Sequence, residues 1–252
     1  MEIVTGVSLL RVRFRFAEAL RIFLKPAFRV PEFEYEVGST DTVKHSVESL
    51  GVPHTEVGEY RINDQVVSST AQTSAGDVIE VVAPVSGAPL EDPRFVADGH
   101  LGRLAAYLRM IGFDCWYERD ADDVKLASVA SSEHRLLLTR DVGLLKRREV
   151  DRGYCVRADK PQEQLREVVG RFGLQDRLRP FQRCMDCNGE LVPVLKEEVA
   201  DLLPPHTRAT RDIFSRCTAC GKIFWRGSHH ARMLGWIEDL CDANPHEARP
   251  PG

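Results

Sequence analysis

Two C-x-x-C pairs, Cys184/Cys187 and Cys217/Cys220, constrain this chain more than any other feature, because four sulfurs so spaced suit a single ion. A glycine follows each pair, Gly189 and Gly221, and lets the backbone turn so that its amides approach the sulfurs. Four thiolates make a closed tetrahedral site for structural Zn²⁺, with no open position for catalysis. With an odd count of seven cysteines and no secretion signal, a disulfide framework is the weaker reading. Cys115, Cys155 and Cys241 stand alone and read as small apolar residues. The 29 residues between the pairs exceed a usual ribbon and imply an insertion around Pro193, Pro204 and Pro205. We place the four-cysteine module at 181–242, and the proline-rich tail at 243–252 reads as disordered.

The other end of the chain follows a different rule. In VSLLRVRFRF, residues 7–16, apolar Leu10, Val12, Phe14 and Phe16 alternate with charged positions, the period of a half-buried strand. A second extended stretch spans Phe33–Val37. Thr40 and Asp41 then precede a helical face of Val43, Val47 and Leu50 that stops at Gly51-Val52-Pro53. Thr55-Glu56-Val57 reads as extended, RINDQVV turns at Asn63-Asp64, and VIEVVAPV is a final strand. Strands around one helix predict a small β-grasp sheet over 1–86.

In "INDQVV" and "AGDVIEVVAPVSG" this segment resembles the ubiquitin-like sulfur carriers of thiamine and molybdopterin synthesis. Those carriers act through a free C-terminal Gly-Gly. Here Ser86-Gly87 stands in that place and 165 residues follow, so sulfur carriage is disfavoured and the domain reads as a docking or regulatory module for a protein partner.

Residues 87–94 read as a linker, with Pro89 and Pro93 and no periodicity. From Phe95 to about 180 an α/β pattern follows. Phe95-Val96-Ala97 ends in Asp98, Leu101, Leu104, Ala105 and Leu108 share a helix face, and Phe113–Tyr117 is a short strand. Acids at Asp120, Asp122 and Asp123 precede a helix to Ser132, and the strand LLLT at 136–139 leads to Asp141. This order predicts a parallel sheet with carboxylates at one edge, where open α/β sheets place their sites. Mg²⁺ and Mn²⁺ prefer such oxygens and assist phosphodiester hydrolysis. Asp122 or Asp123 would alternatively cap the helix, and each aspartate alone suits a structural cap. We select Asp98, Asp123 and Asp141 as the candidate set.

The net charge of −4 does not mark a nucleic-acid binder, but its distribution is uneven: residues 140–183 hold 12 Lys and Arg against 7 acids, residues 1–90 hold 8 against 12. A phosphate backbone favours the first segment, although solvated amphipathic helices would look the same. Arg103, Arg109 and Arg140 are candidate phosphate contacts, Arg140 foremost beside Asp141, followed by Lys146, Arg147 and Arg148. Trp225, Arg226 and His229 offer stacking and contacts to RNA, with a core tryptophan beside the zinc as the alternative. His229 and His230 are disfavoured as surplus zinc ligands, and His100 is expected to face solvent. No stretch nears the roughly 18 apolar residues of a membrane span, so a cytoplasmic protein without membrane contact is expected.

"FVADGHLGRLAAYLRMIGFD", "DADDVKLASVASSEHRLLLTRDVGLLKRR", "PFQRCMDCNGEL" and "FWRGSHHARM" resemble the Mut-seven-type C-terminal RNase family, from about Phe95 to Met233. That family is assigned to PIN-like nucleases and often carries a ubiquitin-like domain in front. The resemblance implies a metal-dependent ribonuclease with Asp98, Asp123 and Asp141 as ligands; our leading reading is an endoribonuclease that cuts RNA using Mg²⁺ or Mn²⁺. Gly99-His100 departs from the larger apolar residues expected there. The rival reading is a non-catalytic RNA-binding or adaptor protein that uses the zinc module and basic segment. A toxin-like tRNA nuclease is a third, with the ubiquitin-like domain as its cover.

Overall fold

The computed structural model describes residues 8–242, without the side chains of Ser228, His229, Asp239, Cys241 and Asp242. The expectations for Cys241 and for the tail at 243–252 lie outside what is described. The described residues divide into two compact units, the first of residues 8–85 with 139–155 and the second of 86–138 with 156–242.

The first unit is a mixed sheet around one helix. Strands β1 (Leu9–Phe16), β2 (Glu32–Gly38), β3 (Glu59–Ile62), β4 (Gln65–Val67) and β5 (Val78–Val82) order as β2-β1-β5-β3-β4, with β1 and β5 parallel. Alternation dictates the packing. Val12, Phe14 and Phe16 face α1 (Val43–Leu50) and are buried, as are Val43, Val47 and Leu50. Arg11, Arg13 and Arg15 point outward beside Glu36, Glu34 and Glu32, their register partners on β2. Thr42 Oγ1 caps α1 by accepting from His45 N, and Gly51 at φ +124° ends it. Asn63 and Asp64, both at positive φ, make the β3–β4 turn.

Two parts of this unit differ from the sequence reading or go beyond it. His54–Glu56 is a 3-10 turn, not extended chain, because Pro53 starts a tight turn directly after α1. Glu18–Phe23 also forms a 3-10 segment and drops Leu20 into the core, with Leu24 behind it. Its short length leaves no period to detect.

In the second unit β6 (Phe95–Ala97) pairs in parallel with β7 (Cys115–Tyr117) and with the start of β8 (Leu136–Thr139). All three residues of β6 are buried, the pattern of a parallel strand covered on both faces. A 3-10 turn at Gly99–Leu101 runs into α2 (Gly102–Met110), and α3 (Asp123–Ser132) connects β7 to β8. The connection from β8 then passes into the first unit, where α4 (Val142–Leu145) and β9 (Gly153–Cys155) lie. The second unit resumes with α5 (Pro161–Arg171), which packs on α2.

Residues 87–94 are fastened to this unit. Gly87 N donates to Arg171 O at 3.0 Å, and the Arg177 guanidinium donates to the Leu90 and Glu91 carbonyls. Beyond them, β10 (Leu191–Val194), α6 (Lys196–Val199), α7 (Pro205–Thr210), β11 (Phe214–Cys217) and β12 (Ile223–Trp225) form an antiparallel sheet β10-β11-β12 with two short helices in the predicted insertion. Val199, Leu203 and Phe214 are its small buried core. The chain closes on α8 (Ser228–Asp242), and no helix among the described residues is long and apolar enough to cross a membrane.

Candidate functional site

The cysteine knuckles are built by backbone geometry. Cys184 N donates to Gly189 O at 2.7 Å, Asn188 N to Cys184 O at 2.9 Å and Gly221 N to Cys217 O at 3.1 Å, so each loop closes on its first cysteine. The glycines divide the work unequally. Gly221 turns at φ +73°, but in the first knuckle Asn188 takes the left-handed position at φ +69°. Gly189 is needed for space instead, since a Cβ there would stand 2.8 Å from Cys217 Sγ.

All four Sγ atoms lie within 4.8 Å of one another, with Cys184–Cys220 at 3.8 Å and Cys187–Cys217 at 3.3 Å. Sulfurs about 2.3 Å from a central ion would stand about 3.8 Å apart, so the cluster fits a tetrahedral Zn²⁺. Burial pushes the Cys184 thiol up to about 12. Burial would also raise Cys217, but the amides of Cys220 and Ala219 and the neighbouring thiols bring it down to about 7. Cys220 N is 3.4 Å from Cys217 Sγ.

The first knuckle is tied to the parallel sheet by charged hydrogen bonds. Arg109, 4% exposed, donates through Nε to Cys115 O at 2.8 Å and through Nη1 to the carbonyls of Met185 and Asp186 at 3.1 and 2.8 Å. Asn188 accepts from Cys115 N and donates to Asp114 Oδ1 at 2.7 Å. Asp114 also accepts from Arg135 Nη1 at 2.6 Å. Burial alone would raise the Asp114 carboxyl, but the bonds from Arg135 and Asn188 outweigh it and hold it below the ordinary aspartate value. Arg109 is therefore a clamp between α2, β7 and the knuckle, a role its sequence position beside candidate phosphate ligands does not reveal.

The aspartates stand at element ends. Asp98 follows β6 directly, and its N–H continues the ladder to Leu138 O at 3.0 Å. The next turn is tightly held: a Cβ at Gly99 would come within 2.5 Å of Arg119 O, and one at Gly102 within 2.5 Å of the Tyr117 hydroxyl, which itself donates to Gly99 O. The unexpected glycine at 99 thus has a steric reason, and Tyr117 is a positioning residue the sequence reading missed. His100 is exposed. At α3, Asp122 Oδ1 accepts from Lys125 N at 2.8 Å and is the cap, which leaves Asp123 exposed in the first turn.

In the first unit Asp141 caps α4. Its Oδ1 accepts from Gly143 N at 2.6 Å and Leu144 N at 3.4 Å, while Oδ2 has no hydrogen-bond partner among the described residues. Among the described residues the four cysteines form a set of ligand groups drawn within 4.8 Å; Asp98 and Asp123 belong to the second unit and Asp141 to the first. Their oxygens are nonetheless of the hard class that Mg²⁺ and Mn²⁺ take.

The basic candidates separate. Arg103, Arg140, Arg148 and Arg226 are exposed, Arg147 is half-buried 3.8 Å from Glu149, and Trp225 is 38% exposed at the end of β12. Lys146 instead donates to Glu48 O at 2.8 Å, and burial lowers its pKa. The His229 side chain lies outside what is described, and its neighbour His230 stacks on Phe181 at 4.2 Å.

Residues 10–88 match the Mut7-C ubiquitin family and residues 93–237 the Mut7-C RNAse domain. The human protein named "Exonuclease mut-7 homolog" is 24% identical over 264 aligned positions, which cover 72% of this chain and 30% of that protein. The chain thus spans about a third of the length of this curated relative. With more than half of its residues matched, it belongs to the Mut7-C RNAse domain family and carries the Mut7-C ubiquitin domain in front.

Proposed function

We propose that the chain is a metal-dependent ribonuclease that hydrolyses RNA phosphodiester bonds, with Asp98, Asp123 and Asp141 as cation ligands and Zn²⁺ as a structural ion on the four cysteines. The observation that carries this reading is a central parallel strand, inside the segment matched as an RNase domain, that ends directly in a carboxylate. A bound Mg²⁺ or Mn²⁺ supplies activation of water and neutralises charge on the leaving oxygen. Asp98 is fixed by the β6 ladder, and Asp141 is oriented through Oδ1 so that Oδ2 remains for a ligand. Asp123 carries an exposed carboxylate that meets incoming ligands without breaking a cap.

Bare carboxylates repel phosphate, so the substrate needs cationic guides. Arg103, Arg140, Arg147 and Arg148 take that role, Trp225 and Arg226 offer stacking and contacts, and His229 is kept as an RNA contact on its sequence alone. Arg109 and Lys146 are left to the scaffold, because both spend their donors on backbone carbonyls. The ubiquitin-like domain is read as a site for a protein partner, and the protein as cytoplasmic.

Purified full-length chain incubated with end-labelled linear RNA and with circular RNA, with and without Mn²⁺, tests the reading. Loss of the circular form only with Mn²⁺ is the expected result and shows internal cutting. Trimming of linear RNA alone favours end-directed cleavage, the mode named for the human relative. Binding without metal-dependent cleavage of either RNA favours the adaptor.

A further inference from the structure

The first cysteine knuckle is bonded to the start of the parallel sheet, and every residue that makes these bonds lies in the second unit. Arg109 spends Nε on Cys115 O, in β7, and Nη1 on Met185 O and Asp186 O, inside the Cys184–Cys187 loop. Among the described residues these three carbonyls are the hydrogen-bond acceptors of its side chain. A buried cation is costly without such partners, so the guanidinium is satisfied only while the loop keeps its shape. Asn188 reaches the same place from the loop: its Oδ1 accepts from Cys115 N at 3.2 Å and its Nδ2 donates to Asp114 Oδ1. Arg183, directly before Cys184, donates to Asn188 O at 3.0 Å.

The same residues begin β6. Phe95 N donates to Asp114 O at 2.8 Å, and Arg135, bonded to the Asp114 carboxylate, also donates to Phe95 O. Because β6 runs only from Phe95 to Ala97, fixing its first residue fixes the strand that leads directly into Asp98. The second knuckle is bonded to its own module: Cys217 N donates to Lys222 O and Thr218 N to Glu190 O, both at 2.9 Å. Four sulfurs closed on one ion therefore join a knuckle held by the parallel sheet to one held by the three-stranded sheet.

We infer that Arg109 and Asn188 couple the four-cysteine site to the strand that carries Asp98, and so are positioning residues of the nuclease centre. Ion binding at the knuckles and order at the start of β6 stabilise each other. Linkage makes this reciprocal: breaking the tie weakens ion binding, and removing the ion loosens the strand. The inference rests on the proposed role of Asp98 and goes further, because it gives the four-cysteine module a part in the centre beyond its own folding.

The test uses the full chain, zinc-loaded and zinc-free, as wild type, Arg109→Met, Arg109→Lys and Asn188→Gly. Arg109→Met keeps the apolar stem and removes the donors, and Asn188→Gly removes the amide where the backbone already turns at φ +69°. Zinc affinity is measured by competition with a chromophoric chelator. Amide exchange at Phe95 and Cys115 is followed with β1 as the folding control, and RNA cleavage by zinc-loaded and zinc-free chain is titrated with Mn²⁺. Removing zinc from wild type raises exchange at both amides about tenfold or more while β1 stays protected. Arg109→Met and Asn188→Gly each weaken zinc binding, Arg109→Met by about tenfold or more, and Arg109→Lys recovers part of the loss by keeping the charge and a donor. In Arg109→Met, zinc removal changes Phe95 exchange less than in wild type, a non-additivity that two separate structural roles do not give. The Mn²⁺ concentration for half-maximal cleavage rises on zinc removal and in Arg109→Met, with a smaller change at saturating Mn²⁺.

Unchanged exchange at Phe95 and Cys115 on zinc removal overturns the inference, as does wild-type zinc affinity in both Arg109→Met and Asn188→Gly. Shifts in exchange and affinity with an unchanged Mn²⁺ dependence also overturn it, because the coupling then stops short of Asp98. A wild-type chain that cleaves no RNA defeats the nuclease reading itself, and the zinc and exchange arms still decide whether Arg109 and Asn188 couple the knuckle to β6.

Discussion

The β-grasp sheet and the cysteine knuckles sit at opposite extremes of how a chain is held. The sheet buries Phe14, Phe16, Val43, Val47 and Leu50 in a continuous apolar core, and its charges stay outside as a ladder of Arg and Glu. The knuckle region has a small apolar cluster of Val199, Leu203 and Phe214 beside the buried Cys184 and Cys217. Water exclusion is enough for the first, whereas the second brings four sulfurs within 4.8 Å of one another, a set that could hold a metal ion such as zinc. The lesson is that two regions of similar length in one chain respond to different perturbations.

Removing the ion is the strongest way to break that contrast. Apparent binding free energies of structural Zn²⁺ are about 10–16 kcal/mol. Chelation or Cys217→Ser should therefore abolish exchange protection in β10–β12 and leave β1 and β5 protected, as hydrogen exchange would show. Uniform loss of protection would remove the distinction. Phe14→Ala should act in reverse and cost about 3–5 kcal/mol, read as a lower denaturation midpoint of the first unit with zinc content unchanged.

Acid sharpens the comparison within the second unit. Asp114 is held below its ordinary value of 3.8, so its stabilising contribution is complete above that value and is lost as pH falls through the lower folded one. Unfolding followed across this range should show a limb below about pH 4 that Asp114→Asn flattens. The smallest effect belongs to the outer ladder. Arg13 is nearly half exposed, and such pairs contribute about 0.2–1 kcal/mol. Arg13→Ala should leave the thermal midpoint of the β-grasp unit almost unmoved, and a drop as large as that of Phe14→Ala would show that the ladder sets strand register.

Elements with a period were legible. The alternation from Leu10 to Phe16, the helix stop at Gly51, the turn at Asn63-Asp64 and the strand LLLT all reappear, because each is dictated by neighbours in the chain. The four cysteines were legible through spacing alone. What escaped depends on distant partners. Nothing around Arg109 signals that its guanidinium meets carbonyls 76 and 77 positions away. Glu56 and Cys155 form one contact across 99 positions, and Lys146 reads as one more member of a basic run until Glu48 O is seen beside it. For the aspartates the local part was readable, since Asp122 is the cap that sequence offered as one of two alternatives.

Asp98, Asp123 and Asp141 are proposed to carry metal-dependent hydrolysis of RNA. The most direct measurement compares the cleavage rate of labelled RNA at saturating Mn²⁺ for wild type, Asp98→Asn and Asp141→Asn, with RNA affinity measured in parallel. Each amide should lower the rate by about 10²–10³ while affinity is kept or improved, since a repelling charge has been removed. Asp98→Asn that cleaves at the wild-type rate would contradict the claim and leave a zinc-stabilised RNA-binding protein.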